Sequence, residues 1–152
     1  MAVFPNRSTK LSLVDTSVWI LALRKQPVPA IRERVDLLLA ENCVATVGII
    51  ELEFLGGTKT EGGFRRLKSW LDALEQVKTD TSLWEAAYDL ASTLRRSGAT
   101  VPDTRIVVAA IAFKAGATVS HVDTHFDLMA SPLGLKVKGL IKSATSAFDD
   151  EG

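Results

Sequence analysis

Two acidic residues stand where a carboxylate can do chemistry. Asp15 follows directly on the apolar run Leu11-Ser12-Leu13-Val14 and is itself followed by Thr16-Ser17. Asp123 ends the run Thr118-Val119-Ser120-His121-Val122 and opens Asp123-Thr124-His125-Phe126-Asp127. A carboxylate at the end of a buried strand is desolvated on one side, and two that face each other raise one another's pKa unless a cation lies between them. An all-oxygen pocket of this kind suits Mg2+ or Mn2+, completed by waters and a substrate phosphate. Such an ion would polarise a phosphodiester and acidify an attacking water. Each Asp also has a plainer reading as the N-cap of the helix that follows it.

The elements that must position these acids are legible from periodicity. Leu11–Val14, Cys43–Val47 and Thr118–Val122 read as short strands buried on both faces, Leu135–Lys138 as a weaker fourth strand, and Gln76–Lys78 as a short edge strand. Helical spacing of apolar residues marks Pro29–Ala40, Gly63–Leu74 and Ser82–Ser97, the last stopping at Gly98. Strands alternating with helices predict a three-layer α/β/α fold around a central, mainly parallel sheet of four to five strands. Ligands in such sheets bind outside the carboxyl ends of the strands, which is where Asp15 and Asp123 fall.

Composition narrows the function classes. Of the 152 residues, 18 are acidic and 18 basic, so no global positive charge advertises a pure nucleic-acid binder, although a local basic rim round an acidic pocket is compatible with this balance. The single cysteine, Cys43, excludes a disulfide framework and reads as a small buried hydrophobe. With no apolar run of the roughly 18 residues a membrane span needs, and none near the start to serve as a signal peptide, the expected location is the cytoplasm. Residues 1–141 read as one domain, and 142–152 as a solvent-exposed acidic tail.

Several segments together resemble a known family. Leu13-Val14-Asp15-Thr16-Ser17-Val18-Trp19-Ile20 is similar to the opening of PIN-domain ribonuclease toxins of the VapC family, which act in toxin–antitoxin pairs. Ile49-Ile50-Glu51-Leu52-Glu53-Phe54-Leu55-Gly56-Gly57 resembles the second motif, a Glu on a helix with Gly four residues later. Ala109-Ala110-Ile111-Ala112, then Gly116-Ala117 and the strand to Asp123, resembles the third and fourth, and His125-Phe126-Asp127 the polar-Phe-Asp ending. The resemblance covers about residues 11–138. It implies that Asp15, Glu53 and Asp123 are metal-binding catalytic acids and Asp127 an accessory acid. Thr16, Ser17 or Thr124 would then give secondary hydrogen bonds. Glu51 is the rival of Glu53, but Gly57 lies four residues after Glu53, and two residues turn a helix by about 200°, so both cannot face inward.

One position departs from the family pattern. The acid expected four residues before Ala109, and eleven before Gly116, is Arg105. The nearest acid, Asp103, replaces it as a metal ligand only if the helix start is remodelled; otherwise Pro102-Asp103 reads as a helix N-cap. Arg105 is expected either to pair with Asp15, Glu53 or Asp123, partly substituting for the metal's charge, or to point outward to an RNA phosphate. The resemblance further implies structured RNA, such as transfer or ribosomal RNA, as substrate, and a VapB-like antitoxin whose helix fills an apolar groove. Phe54, Trp70, Trp84 and Tyr88 are candidates for that groove, and Arg24, Lys25, Lys59, Arg65 and Arg66 for the RNA-facing rim. A homodimer is also implied. The other reading is a catalytically inactive PIN-fold module that binds RNA or antitoxin, which Arg105 favours. An aspartyl phosphotransferase wants a second Asp where Ser17 stands, and no Gly-rich phosphate loop follows the first strand. His121 and His125 read as structural histidines, with a general-base role conceivable for His125 beside Asp123.

Overall fold

The computed structural model describes residues 11–140. The expected tail at 142–152 and the outer limits of the expected domain lie outside them. Five strands form one sheet: β1 (Ser12–Val14), β2 (Val44–Thr46), β3 (Glu75–Gln76), β4 (Thr118–His121) and β5 (Val137–Gly139). Their order is β3-β2-β1-β4-β5 and every pairing is parallel. The helices are α1 (Thr16–Leu23), α2 (Pro29–Ala40), α3 (Gly48–Leu55), α4 (Glu61–Asp72), α5 (Ser82–Arg96), α6 (Asp103–Ala115) and α7 (His125–Leu133). One helix set packs α1 against α2 and α3, and α3 against α4; the other packs α5 and α7 against α6. The α/β/α expectation holds.

The expected elements are found with boundaries moved by at most two residues, and three of the shifts have a clear local reason. The first turn of α4 begins at Glu61 rather than Gly63, because the Thr60 hydroxyl accepts the Gly63 N–H at 3.0 Å and caps it. The edge strand is Glu75–Gln76 rather than 76–78, since its partner β2 ends at Thr46, opposite Gln76. β5 starts at Val137 rather than Leu135. Gly134, at φ 65°, ends α7 with a left-handed turn, and the Leu135 N–H is spent on the Ala130 carbonyl at 3.1 Å.

The core explains why the short strands hold. Leu13, Val119 and Ala45 are fully buried in the three central strands, and Trp19 is fully buried in α1. The Trp19 ring meets Trp70 edge-on at 5.0 Å and stacks with Phe54 at 6.4 Å, joining α1 to α4 and α3. Cys43 is buried, as expected of a small hydrophobe. No helix among the described residues is long and apolar enough to cross a membrane.

Candidate active site

The parallel pairing of β1 with β4 places the two strand-end acids side by side. The Asp15 N–H donates to the Ser120 carbonyl at 3.0 Å, so the ladder runs one residue past Val14 and brings Asp15 to the carboxyl edge beside the end of β4. There the Asp15 side chain, 0 % exposed, caps α1: its Oδ2 accepts from the Ser17 N–H at 3.0 Å and the Ser17 hydroxyl at 2.6 Å. The Ser17 Oγ in turn accepts the Val122 N–H at 3.3 Å, fastening α1 to the chain just before Asp123. The cap reading of Asp15 is therefore realised on one oxygen, and the other is left for a separate partner.

The other oxygen faces a guanidinium. Arg105, in the first turn of α6, places Nη1 3.0 Å from Asp15 Oδ1, Nη2 2.9 Å from Glu53 Oε2 and Nε 3.1 Å from Asp123 Oδ2. Its side chain is only 16 % exposed, which makes these desolvated, charge-assisted contacts rather than surface pairs. Three carboxylates from three elements, the end of β1, α3 and the end of β4, thus close on one cation. Of the two readings offered for Arg105, the inward one is what the fold builds.

Asp123 uses its second oxygen locally. Oδ1 accepts the His125 N–H at 3.0 Å and lies 2.7 Å from His125 Nδ1. Burial pushes the Asp123 carboxyl up, but the His125 N–H, the His125 ring and Arg105 together outweigh it, so its pKa lies below the ordinary value. His121, fully buried in β4, has its pKa lowered first by burial, against the raising influence of Asp127 and the other acids. Its Nδ1 accepts the Asp123 N–H at 3.2 Å, which assigns the proton of the neutral ring to Nε2. Asp127 Oδ1 approaches that Nε2 to 3.3 Å but misses hydrogen-bond geometry, and Nε2 has no hydrogen-bond partner.

The remaining candidates fall elsewhere. Glu51 accepts from Gln76 Nε2 at 2.8 Å, tying α3 to β3 on the side away from Glu53. The buried Thr16 hydroxyl donates to the Ile50 carbonyl at 3.4 Å, so it tethers α1 to α3. Asp103 is exposed in the first turn of α6 and lines a separate groove with Ala91, Leu94 and Arg95. It neither joins the cluster nor caps the helix: the N-cap is Pro102, without a side-chain bond, and Asp103 can serve only the helix dipole. Arg65 pairs with Glu61 on the exposed face of α4. Of the four aromatic groove candidates, Phe54 lines a cavity of about 410 Å³ that also takes in Ile20, Leu23, Leu67 and Glu53. Trp70 is spent on Trp19, while Trp84 and Tyr88 are exposed on α5.

Whether a divalent ion fits here depends on Arg105. Three carboxylates are the right donor chemistry for Mg2+ or Mn2+, yet the guanidinium stands among them at ion-pair distance from each. Among the described residues no group of three or more His, Cys, Asp or Glu is arranged to hold a metal. The residues as arranged do not fit the ion.

A five-stranded parallel sheet with an acidic carboxyl edge defines a PIN-like α/β protein, and the comparisons narrow the class. The chain is 30% identical over 122 residues to the VapC ribonuclease Mb1587 of Mycobacterium bovis, covering 78% of this chain and 90% of that protein. It is 29% identical over 124 residues to Ribonuclease VapC21 of Mycobacterium tuberculosis, covering 78% and 88%. In fold it is similar to the structure of VapBC2 from Rickettsia felis bound to a promoter DNA fragment, at TM-score 0.71 and 19% identity, covering 85% of this chain and 98% of that one. It is also similar to the DNA-bound VapBC from Salmonella typhimurium, at TM-score 0.70 and 21% identity, covering 85% and 97%. No family model matches. The chain belongs to the VapC ribonuclease family.

Proposed function

We propose that this protein is a ribonuclease toxin of a VapBC-type pair whose cleavage centre, Asp15, Glu53 and Asp123, is held closed by Arg105. The observation that carries this reading is the convergence of those three carboxylates, from separate elements, on one guanidinium at the edge where parallel sheets bind ligands. Phosphodiester hydrolysis in structured RNA is the chemistry, with Mg2+ or Mn2+ admitted only when the guanidinium leaves. His125, oriented through Nδ1 by Asp123, is placed to hold a proton at the rim. The apolar cavity beside Glu53 is the proposed seat of a VapB-like antitoxin helix. A cytoplasmic homodimer organised as one PIN-like domain over 1–141 completes the reading.

The test is cleavage of total RNA with Mn2+ by the protein and by its Arg105→Asp variant. The variant is expected to cleave at least about 100-fold faster, the scale of one misplaced charge in a reacting centre. Equal rates would show that Arg105 does not obstruct. If neither cleaves while both stay folded, the second reading stands, a PIN-fold module that binds antitoxin or RNA without cutting; the three ion pairs of Arg105 favour it.

A further inference from the structure

The sheet has a second concavity, whose lining shares no residue with the acidic cluster. One sheet face carries Ser12 of β1, Thr118 and Ser120 of β4 and Lys138 of β5; the register aligns Ser12 with Thr118 and Ser120 with Lys138, so all four point the same way. With Arg34 of α2 and Glu41, which caps the C-terminus of that helix, these residues line a cavity of about 580 Å³.

We propose that this cavity is a second binding site, taking a phosphate monoester of nucleotide size. Its volume lies in the range of small-ligand sites, roughly 300–1,000 Å³. Its floor is polar although almost dry: Ser12 and Ser120 are 5% and 4% exposed, and their hydroxyl oxygens are 2.8 Å apart. In such a pair one hydroxyl donates to the other, which leaves the second proton free to donate to an anion. Its walls bring Arg34, a planar fork suited to phosphate oxygens, and Lys138, a compact point charge. Both are exposed, and among the described residues neither has an ion-pair partner.

Glu41 is the one acid in the lining, and it sits on the wall that carries Arg34. Its Oε2 is 3.9 Å from Cys43 Sγ, and the Cys43 pKa is raised by burial first and by Glu41 next. The thiol therefore stays protonated, donating to the Leu38 carbonyl at 3.4 Å, and the cavity binds rather than reacts. Nothing in this assignment depends on ribonuclease activity.

The experiment is calorimetric titration of the full chain with inorganic phosphate, AMP and adenosine. Phosphate and AMP should bind saturably, and adenosine should not. Arg34→Gln and Lys138→Gln, both at exposed positions, should each weaken AMP about tenfold, the scale of one charge-assisted contact. Glu41→Gln should tighten it, and Arg105→Asp should leave it unchanged. A 5′-phosphorylated oligoribonucleotide that competes with AMP would mark an RNA end as the natural source, and one that does not would mark a free nucleotide. The proposal falls if neither phosphate nor AMP saturates, or if AMP binding survives both Gln variants. It also falls if binding appears only after 142–152 are removed, because the occupant would then be the chain's own Asp149, Asp150 and Glu151.

Discussion

The carboxyl edge of the sheet and the open cavity on its face are built from opposite inventories. At the edge, charged groups satisfy one another: three carboxylates share one guanidinium, the second oxygens of Asp15 and Asp123 are taken by Ser17 and His125, and that of Glu53 by Arg105 Nη1. On the open face, one neutral hydroxyl donates to another, and among the described residues Arg34 and Lys138 have no ion-pair partner. The difference matters because a buried charge that loses its partner is costly, whereas an exposed one in water is not. The edge is therefore mechanically fixed by its electrostatics and closed to a ligand unless an internal cation leaves. The open face can accept an anion without breaking any contact.

Removing Arg105 should separate the two regions most sharply. Arg105→Met leaves three carboxylates facing each other and should cost about 3 kcal/mol, the lower end for a broken buried pair because Glu53 and Asp123 keep some water. Arg34→Met, by contrast, should stay within about 0.5 kcal/mol. Urea midpoints of the two variants measure this, and similar small losses would mean that the edge pairs behave as surface ones. Mn2+ should raise the midpoint of Arg105→Met and leave that of the unaltered protein in place.

The pH dependence sharpens the comparison next. The lowered pKa of Asp123 makes its stabilisation complete above the ordinary carboxylate value of about 3.9 and lost as pH falls through the lower folded value. Urea midpoints of the protein and of Asp123→Asn should therefore converge as the solution is acidified through that window. Curves that stay parallel would remove the Asp123 contribution. His121 acts in the same direction from a higher start. Because the fold lowers its pKa, stability should decline as pH drops below about 6.5, where the unfolded ring takes up a proton first. The His121 ring signals in NMR should titrate below that value, and titration at or above it would contradict the burial argument.

The smallest effect belongs to the open face. The Ser12–Ser120 pair should contribute about 1 kcal/mol, the usual net worth of one neutral hydrogen bond. A double-mutant cycle with Ser12→Ala and Ser120→Ala reads the coupling directly, and a coupling near zero would mean that the two hydroxyls are satisfied by water instead.

Much of this architecture was written locally. The apolar runs ending at Val14 and Val122 announced two strands with an acid after each, and α2 was delimited to the residue by Pro29 and Ala40. Such features depend on short-range periodicity and on which residues tolerate a helix start, so the sequence alone determined them. The preference for Glu53 over Glu51 came from the resemblance, through Gly57 four residues on; helical phase said only that the two could not both face inward. The three-layer class followed from the alternation of strands and helices, and the family from the order of four weak motifs.

What depends on contacts between distant positions was decided only in three dimensions. That Arg105 turns inward rests on residues 52 and 90 positions away, and no local pattern distinguishes that from an outward arginine. Asp103 fell out of the site because α6 begins with it at the first helical position, where its side chain faces solvent. The pairing of Ser12 with Ser120, 108 residues apart, and the cavity it floors depend on the register of β1 against β4. Sequence spacing sets which face of an element a side chain occupies. Only the packing of elements sets which charge it meets there.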